Sequence, residues 1–239
     1  MKNLIYTTGV LSLVVQVFTG IFDFFVLRMR VPHYLHLLKQ LLLLEFIVQL
    51  IEGSFYLWMV TQFSKIKDIT HFRYYDWFIT TPTMLFTYSF YLLYLKYKKE
   101  NKEIPDILEL TQENISILAL VALLNGIMLF FGYLGEIRQM SIYLSTFLGF
   151  IPFVLMFYLI YVNYAVFTEE GVKTFWYFSI VWGLYGVAAL LPYDVKNVLY
   201  NILDLFAKNF FGIFLAITLL YSIQNTQNTQ NTQKTQNIN

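Results

Sequence analysis

The chemistry in this sequence gathers around one lysine. Lys208 lies about twelve residues into the last long apolar run, about 18 Å along a helix. That depth is too great for its ammonium to reach either surface of a membrane. A charge there costs about 2.5–3.5 kcal/mol, so the residue needs a reason. Asp204, four positions earlier, projects from the same helical face. Arg73 and Asp76, three apart in the third apolar run, form a second pair. Two cations and two anions make a neutral cluster that can be buried only if its members meet. One reading is a salt-bridged plug between the third and seventh runs, although buried ion pairs stabilise poorly compared with packed apolar side chains. The other is covalent: a desolvated amine attacks an aldehyde, and two carboxylates keep the resulting imine protonated. A conjugated, protonated imine beside movable counterions absorbs visible light.

A second set of polar residues sits among leucines, isoleucines and phenylalanines. Glu45, Gln49 and Glu52 recur at i, i+4 and i+7, one continuous stripe on a helix. Ser12 and Gln16 are a turn apart, and Asn201 shares a face with Asp204 and Lys208, with Asn209 following. Such a stripe is costly unless it faces water or itself. It either lines a hydrated, cation-attracting path or locks the first, second and seventh runs together by hydrogen bonds. On this reading Glu45 and Glu52 belong to that path, and neither is expected in contact with the Lys208 amine.

The elements that must carry these residues follow from composition. The chain has 239 residues, 58% hydrophobic and 13% charged, half the charged share of a soluble domain. Aromatics reach 20%, suited to helix interfaces and to two lipid–water boundaries. A net charge of +1 argues against nucleic acid as a partner. The absence of cysteine excludes disulfides and thiol chemistry. His33, His36 and His71 are too few and too scattered for a metal site.

Seven continuous apolar runs, 4–27, 35–60, 71–95, 114–135, 141–165, 174–193 and 196–223, are each long enough to span a bilayer. The expected fold is an all-α, seven-helix transmembrane bundle over 1–224. Asn-Thr-Gln near-repeats over 225–239 predict a disordered tail. Arg28, Arg30, Lys39, Lys96, Lys98, Lys99, Lys102, Lys173 and Lys234 outnumber Lys2, Lys65, Lys67, Arg138 and Lys196 on the opposite side. That bias puts the N-terminus outside and the C-terminus in the cytoplasm. The first run carries no signal-peptide cleavage pattern and is read as a membrane anchor.

Arg73-Tyr74-Tyr75-Asp76-Trp77, followed by Thr80-Thr81-Pro82, resembles the third-helix signature of the microbial rhodopsins. Asp204-Leu205-Phe206-Ala207-Lys208 resembles their retinal-bearing Asp-x-x-x-Lys. Asn125-Gly126-Ile127-Met128 with Gly132, then Ser145-Thr146, then Trp182-x-x-Tyr185 are similar to the fourth-, fifth- and sixth-helix stretches. The resemblance implies all-trans retinal as a Schiff base on Lys208, with Asp76 and Asp204 as counterions and Asp76 as proton acceptor. It makes Arg73 the organiser of the outer water side. Trp77, Thr80, Thr81, Met128, Gly132, Ser145, Thr146, Trp182 and Tyr185 become the retinal pocket. It further implies a homo-oligomer in the plasma membrane of a host cell, a photoreceptor rather than an enzyme.

Four positions depart from the pattern. Thr87 stands where a carboxylic proton donor is usual, Gly186 where a proline is, Ala189 where an aromatic is, and Lys196 where outward proton pumps carry a carboxylate. Lys208-Asn209 resembles the channelrhodopsins, and the second-run glutamates resemble rhodopsins of large algal viruses. Together with the polar stripe of Ser12, Gln16, Glu45, Gln49, Glu52 and Asn201, they favour a light-gated cation channel. A light-driven outward proton pump is the alternative, with Glu45 in place of the missing donor, and a photosensor without transport the third. A sugar carrier or a hormone receptor is disfavoured, since neither a triple-helix repeat nor receptor signatures at the helix ends are present.

Overall fold

The computed structural model describes residues 2–236, with side chains as far as 225. Among these residues there is no strand. Six helices, α1 (Lys2–Leu27), α2 (His36–Gln62), α3 (Thr70–Lys99), α4 (Ile107–Glu136), α5 (Ile142–Asn163) and α6 (Glu169–Ala189), are joined by short turns. The seventh, α7, is assembled without a break from Tyr193–Asp204, a π-helical turn at Leu205–Asn209, and Phe210–Gln236. Each apolar run coincides with one helix. The tail expected to be disordered, 225–239, falls almost entirely on residues whose side chains lie outside those described.

Helix ends depart from the apolar runs where capping overrides hydropathy. α4 starts at Ile107, well before its run at 114, because the Asp106 carboxylate accepts from the backbone N–H groups of Leu108 (2.9 Å) and Glu109 (3.0 Å). α6 starts at Glu169 because Thr168 Oγ1 accepts from the Gly171 N–H at 2.9 Å. α3 stops where Asn101 takes a left-handed conformation, φ 52°, and the Lys102 N–H donates back to the Tyr97 carbonyl.

Successive helices pack side by side, and α7 closes the ring against both α6 and α1. Five of the seven, α1, α2, α4, α5 and α7, are long and apolar enough to cross a membrane by length and composition. α3 and α6 are not among them. α3 is the most enclosed helix, buried on every side from Tyr88 to Leu95, so it needs no lipid-facing stripe along that stretch. The outer faces carry Phe18, Phe78, Leu123, Phe147, Val154 and Ile217, all exposed. An apolar girdle of that extent is stable only against lipid.

Candidate functional site

The π-helical turn sets the site. In an α-helix consecutive side chains diverge by about 100°; the wider turn brings Ala207, Lys208 and Asn209 to the interior together, and all three are buried. Lys208 Nζ donates to Asp76 Oδ2 at 2.8 Å, with Glu52 Oε1 at 3.2 Å and Asp204 Oδ1 at 3.7 Å. The contact with Glu52 corrects the sequence reading, which kept that residue away from the amine. Periodicity within α2 shows which residues share a face, not which helix that face meets. The inner charges are therefore three carboxylates against the Lys208 and Arg73 cations.

Asp204 is held by two phenols. Tyr56 donates to Oδ2 at 2.6 Å and Tyr185 donates to Oδ1 at 2.7 Å, while Arg73 Nη1 stands 3.5 Å from Oδ2. The guanidinium is wholly buried. It donates to Asn197 Oδ1 at 3.1 Å and to Asn201 Oδ1, and it lies over the rings of Phe55, Tyr56 and Tyr200. This arrangement pays for one buried cation with an anion, two amides and three aromatic faces. Tyr56 continues the stripe of Glu45, Gln49 and Glu52 by one further step of four, so its position was readable in the sequence.

A cavity open on one side runs from the Lys208 amine between α3, α4, α5, α6 and α7. Trp77, Thr81, Met128, Gly132, Ser145, Thr146, Trp182 and Tyr185 line it. Thr80 does not; it is buried with its hydroxyl donating to the Asp76 carbonyl at 3.0 Å. Trp77 meets Tyr185 edge-on at 5.4 Å and Tyr200 at 5.1 Å, forming one wall. Asn125 Nδ2 donates to Thr81 Oγ1 at 2.8 Å and ties α4 to α3 beside the cavity. Gly186 leaves room that Phe150 of α5 takes, its Cζ lying 2.6 Å from where a Gly186 Cβ would stand, and Ala189 lines the cavity beside it.

On the other side of Lys208 a polar seam joins α1, α2 and α7. Gln16 Nε2 donates to Glu52 and, at 3.0 Å, to Asn209 Oδ1. Asn209 Nδ2 donates to Gln49 Oε1 at 2.9 Å. Ser12 Oγ donates to the Asn201 carbonyl at 2.9 Å, and Asn201 Nδ2 to Thr8 Oγ1 at 2.8 Å. Glu45 is completely buried and makes no hydrogen bond among the described residues. At one end of the bundle Lys196, counted with the loops by sequence, is instead buried and donates to both oxygens of Glu136, at 2.8 and 3.0 Å.

A family model described as bacteriorhodopsin-like protein matches residues 4–222. The chain belongs to that family. The crystal structure of viral rhodopsin OLPVRII is 26% identical, covers 91% of this chain and 98% of its own, and superposes with a TM-score of 0.79. Acetabularia rhodopsin I is 18% identical over 92% of this chain and 95% of its own, with a TM-score of 0.72. Xanthorhodopsin, described as a light-driven ion pump with dual chromophore, is 17% identical over 95% and 96%, with a TM-score of 0.71. These last two share the fold. No curated protein sequence matches the chain.

Rhodopsins of the bacteriorhodopsin-like family are membrane proteins that bind retinal as chromophore. The residues of this rhodopsin fit such a group. An apolar cavity with aromatic walls ends at a single amine, and the carboxylates are confined to that end. The indole Nε1 of Trp182 has no protein partner within the cavity wall. What the sequence missed lies mostly on stripes it had begun to trace: Asp23 extends Ser12 and Gln16 through Thr19 at steps of four, three and four.

Proposed function

We propose that this rhodopsin is a light-gated cation channel, with all-trans retinal held on Lys208 Nζ. The observation that carries the reading is the seam of Ser12, Gln16, Gln49, Glu52, Asn201 and Asn209, which reaches Lys208 directly through Glu52. Retinal, when bound, supplies light absorption and a change of shape at that nitrogen. The 2.8 Å contact of Asp76 with Nζ supports its reading as the group that receives the proton. Loss of that proton removes the positive partner of Glu52 and Asp204. The seam then loses one of its ties to α7, the contact of Glu52 with Lys208, and is held there by Asn201 and Asn209 alone. Glu52 and Glu45 give the opened path a cation-attracting lining. Arg73 stays fixed by Asn197 and Asn201 and guards the other end. We read the molecule as a homo-oligomer in the plasma membrane of a host cell.

A second reading, outward proton pumping with Asp76 as acceptor, is favoured by the same 2.8 Å contact. Whole-cell current against voltage under illumination separates the two. A channel's photocurrent reverses sign as the voltage is swept; a pump's stays outward throughout; a sensor gives none. Lys208→Ala is expected to abolish both pigment and current, and normal absorbance in that variant would remove the assignment of the amine.

A further inference from the structure

Tyr177 takes no part in the reading above. It lies on α6 and is exposed on the outer, lipid-facing surface, as are Phe206 and Phe210 of α7. Across that surface its phenol donates to the Phe206 carbonyl at 2.8 Å. The bond answers a defect in α7. In an α-helix the Phe210 N–H would reach back four residues, to Phe206. In the π-helical turn it reaches back five, to Leu205, and the Phe206 carbonyl loses that partner. A backbone carbonyl without a donor is costly where the surroundings are hydrocarbon. A phenol in the same place has equal need of an acceptor. Tyr177 and the π-helical turn satisfy each other.

The turn held in this way carries Lys208. Its extra width brings Ala207, Lys208 and Asn209 inward together, and with them the Nζ contacts to Asp76 and Glu52. α6 grips the same stretch at a second point, since Tyr185 donates to Asp204 Oδ1 at 2.7 Å. Two phenols of one helix thus fasten positions 204 and 206, just ahead of the amine-bearing residue. One holds an inner side chain and the other an outer backbone carbonyl. A further polar contact of α6, between Thr174 and Tyr88 of α3 at 3.3 Å, goes to a different helix and leaves the turn alone.

We propose that Tyr177 is a positioning residue for Lys208: from the lipid side it holds open the wide turn that aims the amine at Asp76 and Glu52. Its effect on the pigment rests on the reading of Lys208 as the retinal-bearing residue. The clasp itself does not, and neither depends on whether the light-driven current is a channel's or a pump's. Without the phenol, the Phe210 N–H is free to return to the Phe206 carbonyl. The turn then tightens toward α-helical width, and Nζ draws back from the two carboxylates.

Phe206-Ala207 is the one Phe-Ala step in the sequence, so a labelled phenylalanine carbonyl paired with a labelled alanine nitrogen picks out a single peptide bond. Solid-state NMR of the full-length protein in lipid, before retinal is added, reads that carbonyl directly. Tyr177→Phe is expected to shift its resonance. Thr174→Val, which cuts the α6 contact to α3, is expected to leave it in place. Once retinal is added, Tyr177→Phe should absorb at longer wavelength than the wild type. Hydroxylamine should also bleach it in the dark about tenfold faster, the worth of one lost hydrogen bond. Thr174→Val should match the wild type in both respects. A carbonyl resonance unmoved by Tyr177→Phe overturns the clasp. A moved resonance with unchanged colour and bleaching, or changes shared equally by Thr174→Val, overturns the positioning role. If the wild type itself stays colourless, the retinal reading and the positioning role fall together, while the carbonyl resonance still decides the clasp.

Discussion

Three carboxylates surround the Lys208 ammonium, and their distances rank them: Asp76 at 2.8 Å, Glu52 at 3.2 Å, Asp204 at 3.7 Å. Asp204 has most of its charge answered elsewhere, by Arg73 and two phenols, whereas Glu52 has only the Gln16 amide besides the lysine. Negative charge beside a pigment-bearing nitrogen stabilises the ground state, so its removal lowers the excitation energy. Glu52→Gln is therefore expected to move the absorption band to longer wavelength, in the direction of Asp76→Asn but by less. Glu45→Gln should leave it in place. An absorption spectrum of each purified variant checks this, and an unmoved band in Glu52→Gln would show that Glu52 contributes no charge there. Lys208, Asp76, Asp204 and Arg73 were legible because an ion in an apolar run stands out. The partner of Glu52 was not, because a period of 3.6 fixes a face without saying what it meets.

Elements were legible to within a turn or two, and the misses have physical causes. Asp106 and Thr168 lengthen α4 and α6 through caps that hydropathy does not register. The π-helical turn left no mark that composition could reveal; Asp204 and Lys208 at a spacing of four read equally well as plain α-helix. Lys196 looked like a loop residue because it lies at the edge of its run, yet α7 begins at Tyr193 and carries it inward to Glu136 on α4. The α4–α7 tie has a measurable consequence. Lys196→Met strands the Glu136 carboxylate in a nearly dry site and should cost about 3 kcal/mol. Adding Glu136→Gln should restore most of it. Thermal unfolding in detergent followed by circular dichroism gives the comparison; a double variant no more stable than the single one would mean that the pair does not act as a unit.

For the molecule as a whole, the ring of helices fixes which loops share a side, but not which side faces the cell interior. The turns after α1, α3 and α5 lie together, as do those after α2, α4 and α6, because each helix reverses its predecessor. Lysine and arginine crowd the first group, around Arg28, Arg30, Lys96, Lys98, Lys99 and Lys102. Positive charge is retained on the cytoplasmic side during insertion, so that group is expected inside. The chain has no cysteine, which makes single-cysteine labelling free of background. Lys67 in the α2–α3 turn and Lys102 in the α3–α4 turn are both exposed and lie on opposite sides. In intact cells a membrane-impermeant maleimide should label Lys67→Cys at once and spare Lys102→Cys, which should react only after permeabilisation. The reverse pattern would turn the bundle over. Arg73 would then face the cytoplasm, and any net proton movement driven by light would run inward.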